Sequence, residues 1–257
     1  MTYAIRDSST MLRRYLRHMQ RYPVMTFMVI VLPVVFLLLF VYVFGGTLGA
    51  GLGGDRSSYA DYVTPGVLLL AVAGAAQGTA ISVAMDMTEG IIARFKTMAI
   101  FRPSVLTGHA LGSMIQSLLG LAVVIAVAYA VGFRPSATPV EWVAATGVLA
   151  MVILAVTWVA LACGLVTKSV EAASNLPMPL LLLPFLGSGF VPPDSMPTVM
   201  RWFAEYQPFT PVMETLRGLL LGTAIGNNAI IAVAWCAAMT VGGFLWSRKL
   251  YNRDPRP

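Results

Sequence analysis

Long apolar runs separated by short polar stretches set the pattern of this chain. Six runs are near or above the ~20 residues that a helix needs to cross a bilayer's hydrocarbon core: roughly Val24–Phe44, Tyr62–Met85, Val105–Val131, Trp142–Val166, Ala172–Phe190 and Asn228–Trp246. Small residues follow the first run, among them Gly45, Gly46, Gly49, Ala50 and Gly51. A cleavable signal has an apolar core of only about 7–15 residues, so the first run reads as a retained helix. The glycine-rich stretch behind it, with Asp55, Arg56 and Asp61, reads as a flexible external loop. Pro177, Pro179 and Pro184 predict kinks in the fifth run, which Ser174 and Asn175 partly offset.

Three segments carry a different pattern. In residues 9–22, Met11, Leu12, Tyr15, Leu16, Met19 and Tyr22 share an arc of about 140°, and Arg13, Arg14, Arg17 and Arg21 lie within about 100° on the opposite side. Ser9 or Thr10 suits the start and Pro23 discourages continuation. The spacing predicts an interfacial helix whose arginines face lipid phosphates or an acidic partner, with His18 at its polar edge. In residues 86–103, a short helix from Glu89 puts Ile91, Ile92, Phe95, Met98 and Ala99 on one side and Glu89, Arg94, Lys96 and Thr97 on the other. That segment is either a surface for a partner protein or a solvated loop marking one side of the membrane. In residues 191–227, Ser195-Met196-Pro197 and Thr210-Pro211 each mark a helix start, and Glu214 and Arg217 are spaced to pair. The run to about Ile225 is too short to span. Two short helices dipping into the outer leaflet fit, provided protein covers the turn between them; two helices lying flat are the alternative.

Composition fixes the class. Of the 257 residues 58% are hydrophobic and 11% charged, with mean hydropathy +0.78, where a soluble domain carries about 25% charged residues. The expected fold is all-α and integral to the membrane, one transmembrane domain over residues 1–257. Thirteen basic residues fall on one side: Arg6, Arg13, Arg14, Arg17, Arg21, Arg94, Lys96, Arg102, Lys168, Arg248, Lys249, Arg253 and Arg256. Four fall on the other: Arg56, Arg134, Arg201 and Arg217. That asymmetry puts both termini in the cytoplasm and accounts for the net charge of +6 without a nucleic acid. Cys163 and Cys236 lie in apolar runs and read as packed thiols.

Several chemistries find no residues to carry them. None of Lys96, Lys168 and Lys249 follows a glycine, so there is no Walker-type phosphate cradle. His18 and His109 fit no zinc spacing, and Gly187-Ser188-Gly189 is not a nucleophile elbow. No catalytic, cofactor or metal site is expected in this chain. His109 and Gln77 suit contacts with neighbouring helices. The six runs as drawn contain no Asp, Glu, Lys or Arg, which argues against an ion-coupled carrier and for energy supplied at the cytoplasmic face.

The stretches MDMTEGIIARFKTMAIFRPSVLTGHALG and SVEAASNLPMPLLLLPFLGSGFVPPDSMPTVMRWFAEYQPFTPVMETLRGLLLG resemble the membrane subunit of type-2 ABC exporters, particularly the daunorubicin-resistance-type permeases of actinobacteria. The resemblance covers nearly the whole chain. It implies six transmembrane helices, an N-terminal interfacial helix and two short re-entrant helices between spans five and six. It further implies a coupling helix in which Glu89, Gly90, Arg94, Phe95 and Arg102 meet an ATPase partner, and an external segment holding Pro208, Pro211, Glu214 and Arg217. Ala99 and Gln207-Pro208 stand where family members often have a proline and Asn-Pro. Two ATP-binding subunits with ATP and Mg2+, and a second permease chain in a homo- or heterodimer, are the implied partners in a bacterial cell membrane. The implied cargo is amphiphilic or lipid-like, a drug or a glycolipid. An ion-coupled multidrug carrier, and a non-transporting docking or assembly protein, remain as alternatives.

Overall fold

The computed structural model describes residues 2–21, 23–51, 56–97 and 103–252, and among these it is helical with no strand. Helix α1 is Thr2–Arg21 and α2 is Pro23–Leu38, extended by a π-helical turn Leu39–Phe44 and by α3, Gly45–Gly51. Then come α4 (Arg56–Thr88), α5 (Ile91–Thr97), α6 (Pro103–Val131) and α7 (Pro139–Val166). Helices α8 (Val170–Asn175), α9 (Met178–Leu182), α10 (Thr198–Tyr206), α11 (Phe209–Leu221) and α12 (Asn228–Tyr251) complete the chain.

Helix α4 sits at the centre, touched by α2, α6, α7, α8, α9 and α11. It is apolar on all sides, as a helix enclosed by others must be, and Val63 to Ala76 are buried almost without interruption. Among the described residues five helical stretches are long and apolar enough to cross a membrane: Val29–Gly51, α4, α6, α7 and α12. On α12 the outward side chains Ile230, Val233, Trp235, Val241, Leu245 and Trp246 are exposed. An apolar face of that extent is stable against lipid and not against water. The chain is a multi-pass membrane protein.

Small residues set the helix spacing, as is usual where lipid supplies no hydrophobic force between helices. Gly243 of α12 backs onto α7 so closely that a Cβ there would lie 2.8 Å from the Trp158 carbonyl carbon and the Val159 nitrogen. One turn later the Ser247 hydroxyl donates to the Trp158 carbonyl at 3.1 Å. Further up, Cys236 and Met239 line the same groove as Val152, Ala155 and Val156. Helices α7 and α12 therefore run parallel, and residues 167–227 must lead from the end of one to the start of the other. The first part of that return lies antiparallel to α4. Gln77 Nε2 donates to the Ser174 carbonyl at 2.7 Å, Tyr62 to the Ser188 carbonyl at 2.9 Å and Tyr59 to the Phe190 carbonyl at 3.4 Å. From residue 77 to residue 59 is about 27 Å of helix.

Some expectations need correction. The fifth run, Ala172–Phe190, is not one helix: it is α8, α9 and a series of turns from Leu183 to Phe190. Its prolines remove more backbone donors than a continuous helix tolerates. The glycine stretch is helical as far as Gly51, because Gly45 lets the chain lie close to Arg56 and Tyr59 of α4; residues 52–55 lie outside the described residues. Helix α1 starts at Thr2, so Ser9 and Thr10 are not caps; both hydroxyls donate to the Arg6 carbonyl. Cys163 and Cys236 are buried and unpaired, as expected.

Adjacent glycines give a matched test of the packing. Gly243→Ala is expected to destabilise the purified protein by about 1–3 kcal/mol, lowering its unfolding midpoint in detergent by several degrees. Gly242→Ala, where a Cβ meets nothing within 4 Å, leaves the midpoint unchanged or raises it slightly, alanine being the better helix former.

Candidate functional site

The site sits where α4 ends. Helical bonding continues past Thr88, with the Glu89 amide donating to the Met85 carbonyl at 2.9 Å and the Gly90 amide to the Met87 carbonyl at 3.2 Å. Gly90 then reverses the chain with φ of 69°, a left-handed conformation that a residue with a Cβ adopts only under strain. The Arg94 amide donates back to the Gly90 carbonyl at 3.1 Å and opens α5. Glu89 therefore belongs to the turn and not, as its spacing suggested, to the short helix. Ile92 anchors α5 in a small cluster with Val83, Val105, Leu106, Leu165 and Tyr251. Arg94 and Thr97 point to solvent. The Phe95 side chain and Arg102 lie outside the described residues.

Beside this turn is a small cleft, about 60 Å³, lined by Met11, Arg14, Tyr15, Met85, Asp86, Glu89 and His109, among others. Asp86, only 9% exposed, uses both carboxylate oxygens. Oδ1 accepts from Arg14 Nη2 at 2.8 Å and Oδ2 from His109 Nε2 at 3.0 Å. The pattern of apolar runs stops at Met85, but the helix carries on because these two partners, from α1 and α6, compensate the buried carboxylate.

Helix α1 is seated on α6 by a glycine notch. Met11 and Tyr15 occupy the space that Cβ atoms on Gly108 and Gly112 would need. Tyr15 donates to Gln116 Oε1 at 2.9 Å and also bonds Ser113, which accepts from Thr79 of α4 at 2.7 Å. Burial pushes the Tyr15 phenol above its ordinary pKa, with the Ser113 bond partly opposing the shift, so the hydroxyl stays protonated and available to donate. Ser8 bonds Thr107 at 3.1 Å. Of the four arginines read as one surface stripe, Arg13, Arg17 and Arg21 are exposed. Arg14 turns inward to Asp86, a correction forced by the buried carboxylate beneath it. The His18 side chain lies outside the described residues.

At the opposite end of the bundle, the broken backbone of residues 183–190 is served by donors from elsewhere. The Ser188 carbonyl accepts from Tyr62 and from Arg217 Nη2, both at 2.9 Å. The Leu183 carbonyl accepts from Gln207 Nε2 at 3.1 Å. Arg217 is 7% exposed; it also donates to the Tyr62 carbonyl at 3.2 Å, pairs with Glu214 at 2.6 Å as its spacing predicted, and lies over the Tyr62 ring at 4.0 Å. Pro208 precedes α11 at its N-cap position without a capping bond, and Pro211 lies buried in its first turn. Helix α11 is buried along most of its length, while α10 leaves Val199, Trp202 and Tyr206 exposed.

Sequence reasoning missed Asp86 and His109 as partners. The signal was a carboxylate directly abutting an apolar run, opposite an arginine helix and the second histidine.

The family description "ABC-2 type transporter" matches residues 7–221. The chain is 29% identical over 222 residues to the daunorubicin resistance ABC transporter permease protein of Streptomyces coeruleorubidus, covering 86% of this chain and 77% of that one. It is 27% identical over 221 residues to a probable doxorubicin resistance ABC transporter permease protein of Mycobacterium tuberculosis, covering 82% of this chain and 76% of that one.

Arg217→Ala leaves the Ser188 and Tyr62 carbonyls short of a donor and Glu214 without its partner. A loss on the order of 3 kcal/mol is expected, read as a lower unfolding midpoint. Arg217→Lys recovers only part of it, since an ammonium cannot reproduce the planar fork.

Proposed function

The chain belongs to the ABC-2 type transporter family, and from that premise we propose that it is the membrane-spanning permease half of an ATP-driven exporter. The observation that carries this reading is the extent of the family match, residues 7–221, which takes in both the Gly90 turn and the α10–α11 hairpin. In this reading Glu89, Gly90, Arg94, Phe95 and Arg102 form the surface that an ATP-binding subunit engages. The exposed Glu89 and Arg94 and the apolar anchor Ile92 support it. ATP and Mg2+ belong to the partner, two copies of which sit beneath two permease chains, alike or different.

Six crossings follow if residues 170–190 serve as the fifth, a reading supported by the parallel α7 and α12 and by the bonds to Gln77, Tyr62 and Tyr59. The excess of arginine and lysine at the Gly90 end puts that end and both termini in the cytoplasm. Helix α11 then re-enters from the outer side. Helix α10 lies in the headgroup layer, where Trp202 and Tyr206 suit an aromatic belt. The exposed Arg13, Arg17 and Arg21 face lipid phosphates at the inner surface.

Asp86 bears on the ion-coupled alternative, because it is a buried carboxylate within a spanning helix. Both its oxygens are engaged by Arg14 and His109, so a coupling ion would have to compete with these partners. The cargo is an amphiphile, a drug or a glycolipid, in keeping with the drug-resistance names of the relatives.

Co-expression with an ATP-binding subunit tests the reading. Glu89→Ala and Arg94→Ala are each expected to reduce ATP-dependent export of doxorubicin or a labelled glycolipid about fivefold or more, the factor for ~1 kcal/mol of coupling. Complex abundance stays near wild type. Unchanged export in both variants removes the coupling assignment; failure of any ATP-binding subunit to co-purify removes the permease reading.

A further inference from the structure

We propose that Asp86 is a positioning residue that ties the coupling turn to α1, so that α1 moves with the turn during transport instead of serving as a fixed membrane anchor. The inference rests on the permease reading above and adds a moving part to it.

Asp86 lies three residues before Glu89 on an unbroken helix, whose bonding continues through the Glu89 amide to the Met85 carbonyl. A displacement applied at Glu89 therefore reaches Asp86 through helix alone, without crossing the left-handed Gly90. One carboxylate oxygen holds Arg14 of α1 at 2.8 Å, and the other holds His109 of α6 at 3.0 Å. Pulling α4 away from α1 would take from a buried carboxylate its arginine partner and leave it His109 alone, so moving the two helices together is the less costly course. Helix α1 is in turn fixed to α6 through Gly108, Gly112, Tyr15 and Ser8. These contacts lie on the same inner stretch of α6, between Thr107 and Gln116. A small cleft at this corner, walled by Met11, Tyr15, Met85 and Glu89, borders the Arg14–Asp86 pair. Thr79 reaches the same group through Ser113 at 2.7 Å, a second and uncharged tie that keeps α1 seated when the ion pair is removed.

Hydrogen exchange on the complete complex with its ATP-binding subunits tests this directly. Trapping with ATP and vanadate is expected to change exchange in both residues 89–97 and residues 9–21. In Asp86→Asn the change is confined to 89–97, and export per ATP hydrolysed falls several-fold. Asp86→Glu, which keeps the charge, restores both. Arg14→Gln approaches the same link from α1 and is expected to behave like Asp86→Asn, which keeps the test decisive if Asp86→Asn fails to assemble. An equal response of residues 9–21 in wild type and in these variants overturns the proposal, as does a wild-type complex in which 89–97 responds and 9–21 does not. If residues 89–97 themselves give no response, the coupling assignment fails and this inference falls with it.

Discussion

A bilayer offers no water to an interrupted helix, and that constraint organises the molecule. Residues 183–190 break continuous helical bonding into turns in the middle of an apolar chain, and carbonyls left over by that break need donors from elsewhere in the protein. Four side chains serve three of these carbonyls, those of Leu183, Ser188 and Phe190: Tyr59 and Tyr62 from α4, Gln207 from the end of α10 and Arg217 from α11. Helix α4 has to be central because it brings two of the four. Helix α11 has to pack within the bundle because it brings Arg217. Gly66 and Gly189 permit the close approach, since a Cβ on Gly66 would lie 2.6 Å from the Gly189 carbonyl oxygen.

The opposite end is built on another principle. There the helices are held by a glycine notch, hydroxyl pairs and one carboxylate shared between an arginine and a histidine. Arg14 keeps 39% of its side-chain surface exposed and borders a cleft, whereas Arg217 keeps 8% and is wedged over a tyrosine ring. The Arg217 end is thus locked by several bonds converging on one broken stretch. At the Gly90 end the ties are spread over several side chains of α1, α4 and α6 and do not converge on one stretch, and the Arg14 tie is open to solvent.

Much of this is legible in the sequence. The apolar runs located α4, α6, α7 and α12 to within a few residues, except that α4 begins six residues earlier than its run, because Arg56, Ser57 and Ser58 continue the helix without being apolar. The Glu214–Arg217 pair and the Gln77 contact followed from spacing and polarity. The broken fifth segment did not, because whether three prolines kink a helix or end it depends on donors from other elements, between 24 and 131 residues away in the chain. Arg14 was misassigned for a similar reason: helical periodicity puts it among the surface arginines, and only the tertiary position of Asp86 draws it inward. Nothing in the sequence shows which side of α10 meets protein, and its aromatic face proves to be the exposed one.

In the proposed reading this permease works with an ATP-binding partner, and the charged corner at Gly90 is where that partner would act. Uphill accumulation of doxorubicin or a labelled glycolipid by proteoliposomes, with and without the ATP-binding subunit, bears on this most directly. We expect accumulation only when the subunit and ATP are both present. Accumulation by the chain alone, without ATP, would contradict it.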